Sequence, residues 1–276
     1  DMPSGDLYIV STPIGNLVDI TLRAIKVLKG VDLIAAEDTR HSLKLLNHFG
    51  ISKPLISYWS EKEKTKAEVV IEKLSAGLSV ALITDAGTPG ISDPGTVVIK
   101  KAIERGIRVV SIPGASAIIA ALSVSGLSTD EFTFIGFLPP KKIQRQKKLK
   151  GLMLEPRTLI FYEAPHRILE TLRDLKEIFS KRNIVVVKEI TKLHEEILRG
   201  DISEVIHALE NRTIAGEYVI ILEGKEREFA SVEEALEEVG ALIRKGKGRK
   251  EAVSIVAEAY GISKKDLYER SLKDKG

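Results

Sequence analysis

Short, unbroken apolar runs recur between helical segments through the first ~125 residues. Leu7-Tyr8-Ile9-Val10, Leu33-Ile34-Ala35-Ala36, Val80-Ala81-Leu82-Ile83 and Val109-Val110-Ser111-Ile112 each read as a strand, with a shorter candidate at 55–57. These runs do not alternate apolar with polar, so both faces of each strand need cover. A parallel sheet flanked by helices supplies that cover. The spacing predicts a helix capped by Thr21 with Leu22, Ile25 and Leu28 on one stripe, a second over 66–74, and an apolar one from Pro113-Gly114 to about residue 124. Residues 1–126 therefore read as an α/β domain.

A second α/β domain is expected over 127–225. Its strands fall at 132–137, 158–162, 184–187, 196–198 and 218–222. A helix is predicted over 165–179, with Pro165 in its first turn and Ile168, Leu172, Leu175 and Phe179 on one stripe. The run at 196–198 follows closely on the one before it, which leaves room for a mixed sheet. Residues 226–276 form the third part, acidic at first and then basic. Helices over 249–260 and 264–271, joined through Gly261 with Ser263 as a new cap, outline a helix-turn-helix.

Composition removes several classes of chemistry. The chain has no cysteine, so disulfides, thiolate nucleophiles and cysteine metal sites are excluded. Five histidines without an H-E-x-x-H pattern give no reason to expect a metal. No uncharged apolar run reaches ~18 residues, so no membrane span is expected. The first residues lack the pattern of a secretory signal, which makes the cytoplasm the default location. The net charge is +3 and unevenly placed. Residues 141–150 carry six Lys/Arg and no acid, and residues 241–276 carry ten Lys/Arg against five Asp/Glu. Such clustering suits a polyanion. Lys141, Lys142, Arg145, Lys147 and Lys148, with Arg249 and Lys250 in the tail, are the candidate RNA-binding residues.

The most informative segment is residues 84–95, Thr84-Asp85-Ala86-Gly87-Thr88-Pro89-Gly90-Ile91-Ser92-Asp93-Pro94-Gly95. It follows a parallel strand, where open α/β sheets bind ligands. Three Gly and two Pro give it an irregular backbone able to approach a ligand closely. The ends of the other strands carry Ser11-Thr12-Pro13-Ile14-Gly15-Asn16, Glu37-Asp38-Thr39-Arg40 and Pro113-Gly114-Ala115-Ser116-Ala117. No G-x-G-x-x-G or G-x-x-x-x-G-K-[ST] occurs, which disfavours a dinucleotide dehydrogenase and a P-loop NTPase.

With residues 161–167, 188–196 and 216–224, these loops resemble the tetrapyrrole-methylase superfamily of S-adenosylmethionine-dependent enzymes. More narrowly, they resemble its bacterial branch acting on a cytidine ribose 2′-oxygen of 16S ribosomal RNA. The resemblance spans essentially the whole chain. It implies two α/β domains with a cleft between them, S-adenosyl-L-methionine as cofactor, 16S RNA or the small ribosomal subunit as partner, and a homodimer. The cofactor site it implies comprises Pro13, Asp85, Gly87, Thr88, Pro89, Ser92, Ala115, Ser116, Ala117, Tyr162 and Tyr218. Where the wider superfamily reads G-D-P, this chain has Gly87-Thr88-Pro89, and Asp85 is the nearby carboxylate that could replace the missing one.

Methyl transfer needs no protein nucleophile. It needs donor and acceptor in line and help for a weakly nucleophilic hydroxyl. Glu37 and Glu163 are the candidate proton acceptors, and Arg40 and Arg167 the candidate phosphate clamps. His166 and Arg167 are expected in the first turn of the 165–179 helix. The competing readings are a methylase of a small tetrapyrrole, for which the basic segments have no use, and a non-catalytic RNA-binding assembly factor, for which the intact strand-end loops have none.

Overall fold

The structure, a computed structural model, describes residues 4–225 and 232–273. The chain divides after Gly224 into two compact units. In the first, β1 (Leu7–Val10), β2 (Leu33–Ala36), β3 (Leu55–Ser57), β4 (Val80–Ile83) and β5 (Val109–Ile112) form a sheet in the order β3-β2-β4-β1-β5. Every pairing is parallel. Successive side chains point to opposite faces. Val10, Ile34, Ala36, Ala81 and Ile83 meet α1 (Leu22–Gly30) and α2 (Thr39–His48), while Leu7, Ile9, Ala35, Val80 and Leu82 meet α3 (Glu63–Ser75) and α4 (Thr96–Glu104). The unbroken apolar runs are the consequence of this two-sided cover.

Thr21 caps α1 by accepting from the Ala24 amide at 3.0 Å. Asp38 caps α2, accepting from the amides of Arg40 at 2.9 Å and His41 at 3.3 Å. Adjacent strands β1 and β4 send their chains in opposite directions, towards β2 and β5 respectively. That reversal opens a crevice at their carboxyl ends.

The second sheet comprises β6 (Phe132–Phe137), β7 (Thr158–Glu163), β8 (Asn183–Lys188), β9 (Glu196–Asp201) and β10 (Tyr218–Leu222), in the order β6-β7-β10-β8-β9. It is mixed: β6 and β7 are parallel and the remaining pairings antiparallel. α5 (Ala117–Ser123) belongs by sequence to the first domain, yet Ile118, Ala121 and Leu122 pack on Ile160, Val185, Val187, Val219 and Ile221 of this sheet. The two sheets thereby share one unit. On the opposite face lie α6 (Lys142–Lys150), α7 (Ile168–Phe179) and α8 (Ile202–Glu210). α7 starts at Ile168, so Pro165, His166 and Arg167 form a turn ahead of it and not its first turn.

The second unit holds α9 (Val232–Arg244), α10 (Arg249–Tyr260) and α11 (Lys264–Lys273). Ala235, Val239, Val253, Val256 and Leu267 form a core of its own. Gly261, at φ +66°, ends α10, and the Ser263 hydroxyl accepts from the Asp266 amide at 3.3 Å to start α11. Among the described residues no helix is long and apolar enough to cross a membrane.

Candidate functional site

The loops after β1, β4 and β5 are stitched together at the crevice. Thr12 and Gly87 exchange backbone hydrogen bonds, Thr12 N to Gly87 O at 2.9 Å and Gly87 N to Thr12 O at 3.1 Å. The Thr88 hydroxyl lies 2.7 Å from that of Ser11 and donates to the Ala115 carbonyl at 3.3 Å. Thr88, in the position where the superfamily has Asp, therefore ties three strand-end loops. Gly87 sits at φ +80°, which disfavours any residue with a Cβ.

Over this seam opens a cavity of about 350 Å³. The second sheet supplies its other wall, because antiparallel pairing sets Tyr218 of β10 opposite Glu163 of β7 and Lys188 of β8. The amino end of β10 thus reaches the crevice beside the carboxyl ends of its neighbours. Of the expected cofactor residues, Gly87, Thr88, Ser92, Ser116, Ala117, Tyr162 and Tyr218 line this cavity. Pro13 and Asp85 line a second, adjoining recess of about 430 Å³ instead. Pro89 and Ala115 line neither.

Asp85 lies outside the first cavity, engaged by the neighbouring backbone. It accepts from the Asp38 amide at 3.1 Å and its own amide donates to Glu37 at 3.3 Å, which joins the loops after β2 and β4. One of the carboxylates lining the first cavity, beside Glu163 and Glu217, is Asp93, which sequence reading missed. Burial, then the nearby Glu37 and Asp85 charges, push Asp93 up to about 7. Burial, Asp93 and Glu217 push Tyr162 up to about 12. The buried Tyr218 hydroxyl has no hydrogen bond of ordinary geometry, with the Ala215 backbone near it.

The candidate catalytic residues separate. Glu163 is 2% exposed and lines the cavity, but its oxygens are occupied by the Arg167 guanidinium at 2.9 Å, the Thr171 hydroxyl at 2.7 Å and the Ala164 amide at 2.8 Å. Arg167 also donates to the Leu138 carbonyl at 3.3 Å. It is half-buried and already paired with Glu163. Glu37, its acidity weakened mainly by burial, lines neither cavity. Arg40 is exposed on the first turn of α2. Glu217, unremarked in the sequence, lines both cavities and accepts from Lys192 at 3.0 Å.

Among the basic residues, Lys141, Lys142, Lys147 and Lys148 are exposed on or beside α6. Arg145 is not available to RNA. It is fully buried, donating to Asp174 at 2.6 Å, Glu170 at 2.7 Å and the Pro140 carbonyl at 3.0 Å. Position 145 shares an inner face with Leu149, one helical turn on, and charge counting ignores that phase. Arg249 and Lys250 are exposed at the start of α10, Arg249 bonded to the Ser271 carbonyl.

Known proteins share this architecture and much of the sequence. A ribosomal RNA small subunit methyltransferase I of Halalkalibacterium halodurans is 45% identical over 270 residues, 96% of this chain and 93% of the relative. The protein of the same name from Haemophilus influenzae is 48% identical over 275 residues, 98% of this chain and 97% of the relative. Among solved structures, uroporphyrin-III C-methyltransferase from Thermus thermophilus, complexed with S-adenyl homocysteine, matches 80% of this chain and 98% of its own with a TM-score of 0.57 at 18% identity. Diphthine synthase matches 79% of this chain and 89% of its own with a TM-score of 0.60 at 13% identity. The family described as Tetrapyrrole (Corrin/Porphyrin) Methylases matches residues 6–206, and this chain belongs to it.

Proposed function

We propose that this protein is an S-adenosylmethionine-dependent methyltransferase of small-subunit ribosomal RNA, and that its acceptor is the 2′-oxygen of a cytidine ribose. The observation that carries the reading is the near-full-length identity with relatives named ribosomal RNA small subunit methyltransferase I. The site supports it. The first cavity suits a cofactor with a flat adenine and a cationic sulfonium: the small Gly87 and Ala117, the aromatic Tyr162 and Phe137, the Asp93 carboxyl and the unpaired Tyr218 hydroxyl all line it. The exposed lysines of α6 suit an RNA backbone, and a small macrocycle has no need of them.

Held against these residues, the cofactor would supply an electrophilic methyl to the hydroxyl oxygen, with a neutral thioether as leaving group and the hydroxyl proton passed to a base. Asp93 gives the cationic donor a negative neighbour. Glu217, which lines both cavities, is our candidate to orient or accept the hydroxyl proton, with Lys192 holding one of its oxygens. Glu163 acts indirectly, by holding the turn at Ala164 and Arg167.

The test is incubation with methyl-labelled S-adenosylmethionine and, separately, naked small-subunit RNA, assembled small subunits and a porphyrinoid. Label is expected in RNA, at a linkage that resists alkali because its 2′-hydroxyl is blocked. Label on a base removes the ribose assignment, and label on the porphyrinoid alone replaces the RNA reading with a small-molecule one.

A further inference from the structure

Beside the cofactor cavity, the recess of about 430 Å³ is walled by α2 on one side and by the segment following β8 on the other. Ser42, on its wall, is 2% exposed, and its hydroxyl has no hydrogen-bond partner. A buried hydroxyl left unpaired is unfavourable for the free protein. Its retention on a cavity wall points to a ligand that completes it.

The facing segment has unusual backbone geometry. Glu189 and Thr191 lie at φ +49° and +71°, a region that β-branched residues avoid. This conformation carries Lys192 to the recess, where its ammonium bonds Glu189 and Glu217, each at 3.0 Å. Gly15 permits the approach, because a Cβ there would meet Lys192 Cγ at 2.4 Å. The recess shares Ile14, Ala86 and Glu217 with the cofactor cavity, so its occupant abuts the methyl donor. Its chemistry is mixed: Lys44 offers a cation, the His41 ring nitrogens and the Ser42 hydroxyl can hydrogen-bond, and Asp85 and Glu217 are acceptors. A single nucleotide, with one phosphate, sugar hydroxyls and a polar base edge, matches that set, and a duplex is far too large for the space.

We infer that this recess receives the acceptor nucleotide, unstacked from its RNA neighbours, with the Ser42 hydroxyl hydrogen-bonded to it and Lys44 at its phosphate. The inference rests on the RNA methyl-transfer reading. Extrusion from the stack is the general solution when an enzyme must enclose one nucleotide of a polymer.

Single-turnover methylation of small-subunit RNA by Ser42→Ala tests it. The RNA concentration for half-maximal rate should rise about five- to tenfold, the worth of one hydrogen bond to a neutral group. Affinity for S-adenosylhomocysteine should stay within about twofold, and the melting temperature should hold or rise because an unpaired buried hydroxyl is gone. Lys44→Glu, an exposed change that leaves the core untouched, should raise the same half-saturation. Ultraviolet cross-linking of wild type to the RNA should label peptides spanning 41–45 or 189–195. Unchanged RNA dependence in both variants overturns the inference. So does a loss confined to cofactor affinity, which assigns the recess to the cofactor. A wild-type protein that labels no RNA refutes the broader functional reading instead.

Discussion

Two positions test the proposed cofactor cavity. At Gly87 a Cβ would stand 3.4 Å from Ile14 Cγ2 and 3.7 Å from the Ala115 carbonyl, so space is tight but present. The larger obstacle is φ +80°, which a β-branched residue adopts only at a cost of about 1–3 kcal/mol. Gly87→Val should destabilise the fold by about that amount and weaken S-adenosylhomocysteine binding by roughly tenfold or more, read by calorimetry on protein shown folded by circular dichroism. Asp93 makes a prediction of opposite character. Its acidity shifts from 3.8 in the free side chain to about 7 in the fold, so between those values the native state holds the extra proton. Stability contributed by this group is therefore greatest at low pH and falls as pH rises towards 7. Asp93→Asn should remove that loss, so its stability relative to wild type should grow from pH 5 to pH 8. A cationic donor favours the ionised carboxylate. The ratio of affinities for S-adenosylmethionine over S-adenosylhomocysteine should rise with pH in wild type and lie flat in Asp93→Asn; a flat ratio in both would place the sulfonium away from Asp93.

α6 presents two faces with separate duties. Its inner face locks Arg145 between Asp174 and Glu170 of α7, and Gln146 adds a hydrogen bond to Asp174 at 2.9 Å. Removing one partner leaves the 2%-exposed Asp174 without its charge partner, which typically costs about 3–5 kcal/mol. Arg145→Ala should lower the urea midpoint accordingly. RNA affinity measured below the unfolding transition should change little. The outer face behaves in the reverse way. Changing Lys141, Lys142, Lys147 and Lys148 to Glu should leave the midpoint nearly unchanged and flatten the salt dependence of RNA binding, by about 0.7–0.9 in log–log slope for each phosphate no longer neutralised. An unaltered slope would reduce the run to a solvated surface. The same helix thus separates stability from binding in two simple measurements.

The molecule as a whole combines a unit that holds both cavities with a unit built on its own helical core. Among the described residues, the lining of the two cavities ends at Val219. A chain ending at Gly224 should therefore keep its affinity for S-adenosylhomocysteine to within about twofold. Its half-saturation by RNA should rise, because the exposed Lys250, Lys264 and Lys265 are removed with the helical unit. Equal RNA dependence in the short and full chains would deny the helical unit any part in substrate binding. Both sheets should melt in one transition, since α5 spans from the first half of the sequence to the core of the second sheet.

Much of this architecture was legible before the structure. Leu7-Tyr8-Ile9-Val10 and its counterparts announced a doubly covered parallel sheet, because only burial on both faces tolerates unbroken apolar strands. Gly87 and Ser92 line the first cavity, and their Gly- and Pro-rich segment after a parallel strand already marked that loop in the sequence. Three kinds of feature were not legible there. Ser42 lies on α2, whose polar sequence hides the helix that carries it. Glu217 reaches the crevice at the amino end of β10, and antiparallel pairing, which no local pattern reveals, is what delivers it there. Arg145 and Arg167 read as free cations, because sequence records charge but not the buried Asp174 and Glu163 that neutralise it. Periodicity and turn chemistry are local, and the sequence alone determined what depends on them. Partner identity, burial and the strand direction that brings distant residues to one cavity depend on long-range packing, and only the tertiary structure decided those.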